Sequence, residues 1–244
     1  MNISKEENLM YKVMKSIYDS GMPVSFKGSM VLKACLLEAG FYDDTRHTVD
    51  IDANWNSDSI PTTEQIAESF QNAINQANLL LDVNVYRQYG EGRSAGLELM
   101  DKDSKEILFT MDVDVNRPMP QTKIYEIEGL KFRGVTPSQI IADKVSVVSS
   151  EKVFRRIKDV IDLYYLSNAF EFDYDTVLET LKNSGRSLGN FDGFLNRTED
   201  LEHSYTKFRF AGGINKPTFD EVYQAVKGFI DVAIQQSKTT DREY

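Results

Sequence analysis

Thr48-Val49-Asp50-Ile51-Asp52-Ala53 sets two carboxylates two residues apart among apolar neighbours. On a β-strand successive side chains point to opposite faces, so Asp50 and Asp52 share one face, roughly 7 Å apart along it. Carboxylates that close repel each other and need a counter-charge. A hard divalent cation with oxygen ligands, its shell completed by nucleotide phosphates, is one natural solution. Met111-Asp112-Val113-Asp114 repeats the spacing on a second strand. A third carboxylate from such a strand would hold a second metal ion and orient or deprotonate an attacking hydroxyl. The bland alternative is that these acids line the solvent face of a half-buried sheet.

Gly28-Ser29 stands between the apolar run Val24-Ser25-Phe26 and a helix expected from Met30. Glycine before a helix lets the backbone approach a phosphate, and the helix N-terminus offers unpaired N–H groups and a positive dipole end. Ser29 adds a hydroxyl donor. Together these residues predict a site for one or two Mg²⁺ ions and a nucleoside triphosphate (NTP), with Asp50 and Asp52 as metal ligands and one of Asp112 and Asp114, Asp114 taken first, as the third.

A second group is helical. Asp143-Lys144 is followed by Arg155-Arg156-Ile157-Lys158-Asp159-Val160-Ile161-Asp162. Taken alone, the pairs Arg155–Asp159, Arg156–Asp159 and Lys158–Asp162 make a salt-bridged helix face worth a few tenths of a kcal/mol each. In a phosphate site, Lys144 would face the triphosphate as a compact charge. Asp159 would position it, and Arg156 and Lys158 would add cations for the nucleotide.

The elements that must carry these residues follow from periodicity. Leu9, Met10, Val13, Met14 and Ile17 fall at helical spacing in 5–20, and Asp19-Ser20-Gly21-Met22-Pro23 ends that helix. A strand at 24–27, a helix at 30–39, a polar loop at 41–47 and the acid strand at 48–54 come next. Pro61-Thr62-Thr63-Glu64 opens a helix expected to reach about Leu81. Strands at 82–88, 94–101 and 107–116 form a meander, with turns at Gly90-Glu91-Gly92 and Asp101-Lys102-Asp103-Ser104. An extended or hairpin segment covers 123–133. From Thr136-Pro137 helices take over, at about 136–149, 151–168, 173–183 and 217–236. Residues 184–216 read as loop with some helix, and 237–244 as a frayed tail. The fold class is α/β (α+β), divided into a mixed-sheet domain over 1–133 and a helical domain over 134–244.

Bulk properties narrow the function classes. The 244 residues are 41% hydrophobic and 27% charged, an ordinary globular composition. Cys35 is the single cysteine and falls in the apolar pattern of Met30, Leu32 and Leu36, so it reads as a buried thiol. With two histidines, His47 and His203, no common structural zinc site can form. No stretch approaches the roughly 18 apolar residues of a membrane span, and the acidic N-terminus lacks a signal-peptide pattern, so a cytoplasmic protein is expected. The net charge of −10 argues against a general nucleic-acid coat protein.

Gly28-Ser29, Val49-Asp50-Ile51-Asp52, the helical Lys144 and Arg156-Ile157-Lys158-Asp159-Val160-Ile161-Asp162-Leu163, in that order, resemble the AbiEii/AbiGii-type nucleotidyltransferases. These are the toxin halves of bacterial toxin–antitoxin and abortive-infection systems, within the polymerase-β-like superfamily. The resemblance implies a nucleotidyltransferase core on a mixed sheet, a C-terminal helical bundle and a nucleotide site in the cleft between them. It assigns Gly28 and Ser29 to the family's Gly-Ser loop and Asp50 and Asp52 to its metal pair. Lys144 and Asp159 match its helical lysine and its Lys-Asp motif, and Asp112 or Asp114 its third strand acid. It implies transfer of a nucleoside monophosphate from an NTP to a hydroxyl acceptor, which several relatives find at tRNA 3′ ends, and a cognate antitoxin. Two alternatives accompany this expectation: an aminoglycoside-like small-molecule acceptor, and a non-catalytic nucleotide-binding module of the same fold.

Overall fold

The structure, a computed structural model, describes residues 3–41, 50–90, 94–115, 117–210 and 216–240. Thr48, Val49, Glu91, Gly92, Asn116, most of the polar loop before the acid strand and the last four residues lie outside that set. The chain packs as two compact units, one of Met1–Cys35 with Thr48–Thr136, the other of Leu36–His47 with Pro137–Tyr244.

The first unit is built on a seven-stranded mixed sheet in the order β3-β4-β5-β2-β1-β7-β6. The strands are β1 (Val24–Lys27), β2 (Asp50–Trp55), β3 (Leu81–Tyr89), β4 (Ser94–Asp101), β5 (Ile107–Asp114), β6 (Thr122–Ile127) and β7 (Leu130–Val135). The meander predicted for β3-β4-β5 is present, antiparallel throughout. β5 then runs parallel to β2, and β2 is antiparallel to β1. The extended segment at 123–133 is the β6–β7 hairpin.

One sheet face is apolar because the strands alternate in step. Phe26, Ala53, Val113 and Ala95 lie on a continuous row of paired positions, all buried. Helices α1 (Lys5–Asp19) and α3 (Thr63–Gln76) pack against the sheet and each other. Both begin with capping boxes, Ser4 with Glu7 and Thr62 with Gln65, which satisfy N–H groups otherwise left unpaired at a helix start. Glu7 also accepts both Lys33 Nζ bonds at 2.8 Å, a nearly buried pair that ties α1 to α2 (Gly28–Glu38).

The helix predicted to reach Leu81 stops at Gln76. Asn78 turns left-handed (φ +53°) and Leu79 N–H returns to the Ile74 carbonyl, closing the helix before the strand begins. Asn tolerates that conformation better than most side chains.

The second unit is helical. Its main elements are α4 (Pro137–Val148), α5 (Ile157–Ser167), α6 (Tyr174–Asn183), α7 (Asp192–Asn196), α8 (Thr198–Lys207), α9 (Phe219–Phe229) and α10 (Asp231–Thr240). The helix expected over 151–168 is a 3₁₀ turn at Val153–Arg156 followed by α5. The one expected over 217–236 breaks at Ile230 into α9 and α10.

Candidate active site

The polar face of the sheet gathers the strand acids. Asp50 and Asp52 lie on β2 beside Thr110 and Asp112 of β5, and Asn54 beside Asp114. Paired positions on neighbouring strands share a face and lie about 5 Å apart. The two acid pairs predicted from spacing therefore converge on one surface. On the other side of β2, Lys27 of β1 is the partner of Asp52.

Gly28 follows Lys27 directly and is the point where β1 becomes α2. Its φ of +71° is in the left-handed region, which favours glycine. A Cβ there would lie 2.1 Å from Asp52 Oδ2 and 3.0 Å from its Cγ. The Asp52 carboxylate thus occupies the space a side chain at Gly28 would need, at the N-terminal end of α2. Ser29, next in the helix, is buried. Gly28→Ala is expected to lower stability by about 1–3 kcal/mol and to displace Asp52. Gly21→Ala is the control: φ there is +76°, but nothing lies within 4 Å. Thermal melts should show a loss for both variants, and a transfer assay a loss for Gly28→Ala alone.

Asp112 and Asp114 are held differently. Lys27 Nζ donates to Asp114 Oδ2 at 2.6 Å and to Asn54 Oδ1 at 2.7 Å. Arg117 approaches Asp114 Oδ1 at 3.9 Å, and the Tyr89 hydroxyl donates to the same carboxylate. Partial burial pushes the Asp114 carboxyl up, but Lys27, Arg117 and the Tyr89 hydroxyl together outweigh it and the net shift is downward. Burial, reinforced by Asp114 and Asp112, pushes the Tyr89 phenol well above its ordinary value. Asp112 Oδ2 accepts from Arg87 Nη2 at 2.5 Å, whereas Asp112 Oδ1 is buried with no hydrogen-bond partner. Among the described residues, no basic side chain pairs with Asp50, and no three acidic, histidine or cysteine side chains converge closely enough to ligate one ion. The donors present are carboxylate oxygens, the ligands a hard divalent cation prefers. The partnerless Asp112 Oδ1, in the row of Asp52, is an acceptor whose capacity is unmet. The face fits such a cation in ligand type.

Lys144 belongs to the second unit and is enclosed there. Its ammonium donates to Asp159 Oδ1 at 2.6 Å and Asp162 Oδ2 at 2.7 Å. Arg156 Nε donates to Asp159 Oδ2 at 2.8 Å. Both aspartates are buried and the Lys144 side chain is only 13% exposed. Burial works against its charge, yet Asp162 and Asp159 together raise Lys144 above the ordinary lysine range. The pairing predicted between Lys158 and Asp162 is replaced by Lys144–Asp162, because Asp162 faces inward while Lys158 is exposed. Arg155 likewise lies over the Phe154 ring, 5.7 Å from its centroid.

Lys27, Asn54, Arg87, Tyr89 and Asp162 were not singled out by spacing as site residues. Asp162 carried a signal, a carboxylate on an otherwise apolar helix face, but only the packing of α4 against α5 assigns its partner.

The model of the AbiEii family, described as the nucleotidyl transferase AbiEii toxin of a type IV toxin–antitoxin system, matches residues 9–225. The chain belongs to the AbiEii family. It is accordingly a nucleotidyltransferase of the toxin kind, and family membership implies an NTP as substrate and an antitoxin as counterpart. The non-catalytic alternative falls away. MenT4, a nucleotidyltransferase toxin from Mycobacterium tuberculosis H37Rv, shares the fold, with a TM-score of 0.54 at 14% identity over 95% of this chain and 86% of that one. An antigenic nucleotidyltransferase-like protein from Paracoccidioides brasiliensis gives 0.48 at 16% identity, over 87% and 97% of the two chains. No curated protein matches the sequence. No helix among the described residues is long and apolar enough to cross a membrane.

Proposed function

We propose that this AbiEii-family chain moves a nucleoside monophosphate from an NTP to a hydroxyl acceptor, using Mg²⁺ around which Asp50, Asp52 and Asp112, not close enough to ligate one ion by themselves, would close together with the triphosphate oxygens. The observation that carries this reading is Asp52 packed against Gly28 at the start of α2, with Asp50 beside it on the same face. The N-terminal N–H groups of α2 favour an anion there, and Gly28 leaves no side chain in the way. Of the two β5 acids, Asp112 suits the third ligand better, since Asp114 is already satisfied by Lys27 and Tyr89. When bound, the metal neutralises phosphate charge as it develops.

The chain's own residues do the rest. Asp112 accepts the proton of the acceptor hydroxyl as that oxygen attacks the α-phosphorus. The bond from the α-phosphorus to the bridging oxygen breaks, and pyrophosphate leaves. Lys27 fixes Asp114 and Asn54, which keeps β1, β2 and β5 in register beneath the site. In the helical unit, Lys144 orders Asp159, which in turn orders the half-exposed Arg156. Lys158 is exposed on the same helix as Asp159.

The acceptor is tRNA or another hydroxyl carrier. One observation favours a cationic amino sugar as the second reading: the site face carries Asp50, Asp52, Asp112 and Asp114, and the chain's net charge is −10. Incubation with each α-labelled NTP, Mg²⁺ and either total tRNA or an aminoglycoside panel decides between them. Labelled tRNA, with transfer falling steeply as salt rises, supports the RNA acceptor. Labelled amino sugar supports the second reading, and no EDTA-sensitive product from any acceptor, lysate protein included, contradicts both.

A further inference from the structure

Arg87 reaches the carboxylate face through a local irregularity. In β3, Val85 pairs with Leu97 on the apolar side, and plain alternation would send Arg87 the same way. A bulge between Val85 and Arg87 turns it over, so that Arg87 pairs with Gly96, which in turn pairs with Asp112. Gly96 is what lets the side chain lie across β4. A Cβ there would sit 2.4 Å from Arg87 Cγ and 2.9 Å from its Nε. The guanidinium lies 5.3 and 5.2 Å from the ring centroids of Tyr86 and Tyr89. It ends 2.5 Å from Asp112 Oδ2 and leaves Oδ1 buried and unpaired.

The strong form of an arginine–carboxylate pair is fork-to-fork and uses both oxygens. This one satisfies a single oxygen, and its arginine is half exposed. Such a pair is weak and gives way readily. Across the strand boundary Asp112 faces Asp52, so without Arg87 two like charges would confront each other.

We propose that Arg87 holds the Asp112 carboxylate as a counter-ion until a divalent cation takes its place, so that guanidinium and metal compete for Asp112. The proposal rests on the metal-site reading given above. Arg87 is a positioning residue: it keeps Asp112 aimed at Asp52 and sets how much free metal is needed to fill the site. The bulge, the space left by Gly96 and the two tyrosine rings aim it at Asp112.

The test is Mn²⁺ binding to the intact chain, with free ion read by electron paramagnetic resonance, in the parent, Arg87→Met, Gly96→Ala and Asp52→Asn. Circular dichroism confirms that each variant is folded. Arg87→Met is expected to bind Mn²⁺ about fivefold more tightly, the size of an exposed ion pair removed. Gly96→Ala, which keeps the charge but displaces it, is expected to bind about twofold more tightly. Both gains should shrink at high salt, and the half-saturating Mg²⁺ for transfer should fall in parallel. Equal or weaker binding by a folded Arg87→Met, while Asp52→Asn abolishes binding, overturns the proposal and leaves the metal site standing. No Mn²⁺ bound by either the parent or Arg87→Met overturns the metal-site reading itself.

Discussion

Asp52→Asn is expected to lower kcat/KM for nucleotide transfer by about a thousandfold or more, the loss of roughly 4 kcal/mol of transition-state stabilisation. Asparagine keeps the shape and fills the same space against Gly28, so the fold survives. It removes one charge from a face that also carries Asp50 and Asp112. The thermal midpoint should therefore stay level or rise slightly while activity disappears. A residue conserving the sheet would behave the other way. Asp50→Asn should match it, and the double variant should lose little more, because ligands of one ion act as a unit. Asp114→Asn is the internal control. Its carboxylate is committed to Lys27, so about a tenfold loss is expected, with an additional cost in stability. That stability term has a definite pH sign. The Asp114 carboxyl is depressed on folding, so its contribution is present above about pH 4, the unfolded value, and is lost as pH falls through the folded value.

Lys144→Met is expected to cost about 3–5 kcal/mol of stability, a large part of the 5–15 kcal/mol typical of a whole domain. The substitution fills the space but takes the ammonium away from Asp159 and Asp162, both buried, while Arg156 still faces Asp159. Arg156→Ala removes a partner that is half in water and should cost under about 1 kcal/mol. Denaturant unfolding separates the two values. The pH dependence follows from the raised Lys144 pKa. The stabilisation is fully present below the unfolded lysine value of about 10.4 and is lost only as pH rises through the higher folded value. The gap between parent and Lys144→Met should stay constant through neutral pH and begin to close above about pH 10.4. Closure near pH 7 would mean that Lys144 is not the enclosed cation described here.

These two sites differ in how far the sequence exposes them. The two-residue spacing of Asp50 with Asp52, and of Asp112 with Asp114, is a local property, so their shared faces are legible at once. Gly28 is legible for a similar reason, standing between a short strand and a helix. Their convergence is not local. It depends on β2 lying parallel to β5 across a connection that includes α3, β3 and β4, and no periodicity encodes that register. Arg87 shows the same limit more sharply. Counting by twos from Val83 and Val85 puts it on the apolar face, and a single bulged residue reverses the parity. In the helical unit, sequence-near pairs at i,i+4 are visible and misleading. Asp162 turns to Lys144, eighteen positions away, because burial penalises an unpaired carboxylate far more than solvent rewards a surface pair. The early end of α3 has a subtler cause, since Ala77-Asn78-Leu79 continues the apolar pattern while Asn78 supplies the left-handed stop.

Diffraction from crystals soaked with Mn²⁺ and a non-hydrolysable triphosphate, recorded for the anomalous signal of manganese, bears most directly on the carboxylate face. The expected result is a manganese peak within ligand distance, about 2.0–2.6 Å, of oxygens from both Asp50 and Asp52, with phosphate density at the start of α2 beside Gly28. Triphosphate bound elsewhere, or bound there with no manganese at Asp50 and Asp52, would contradict it.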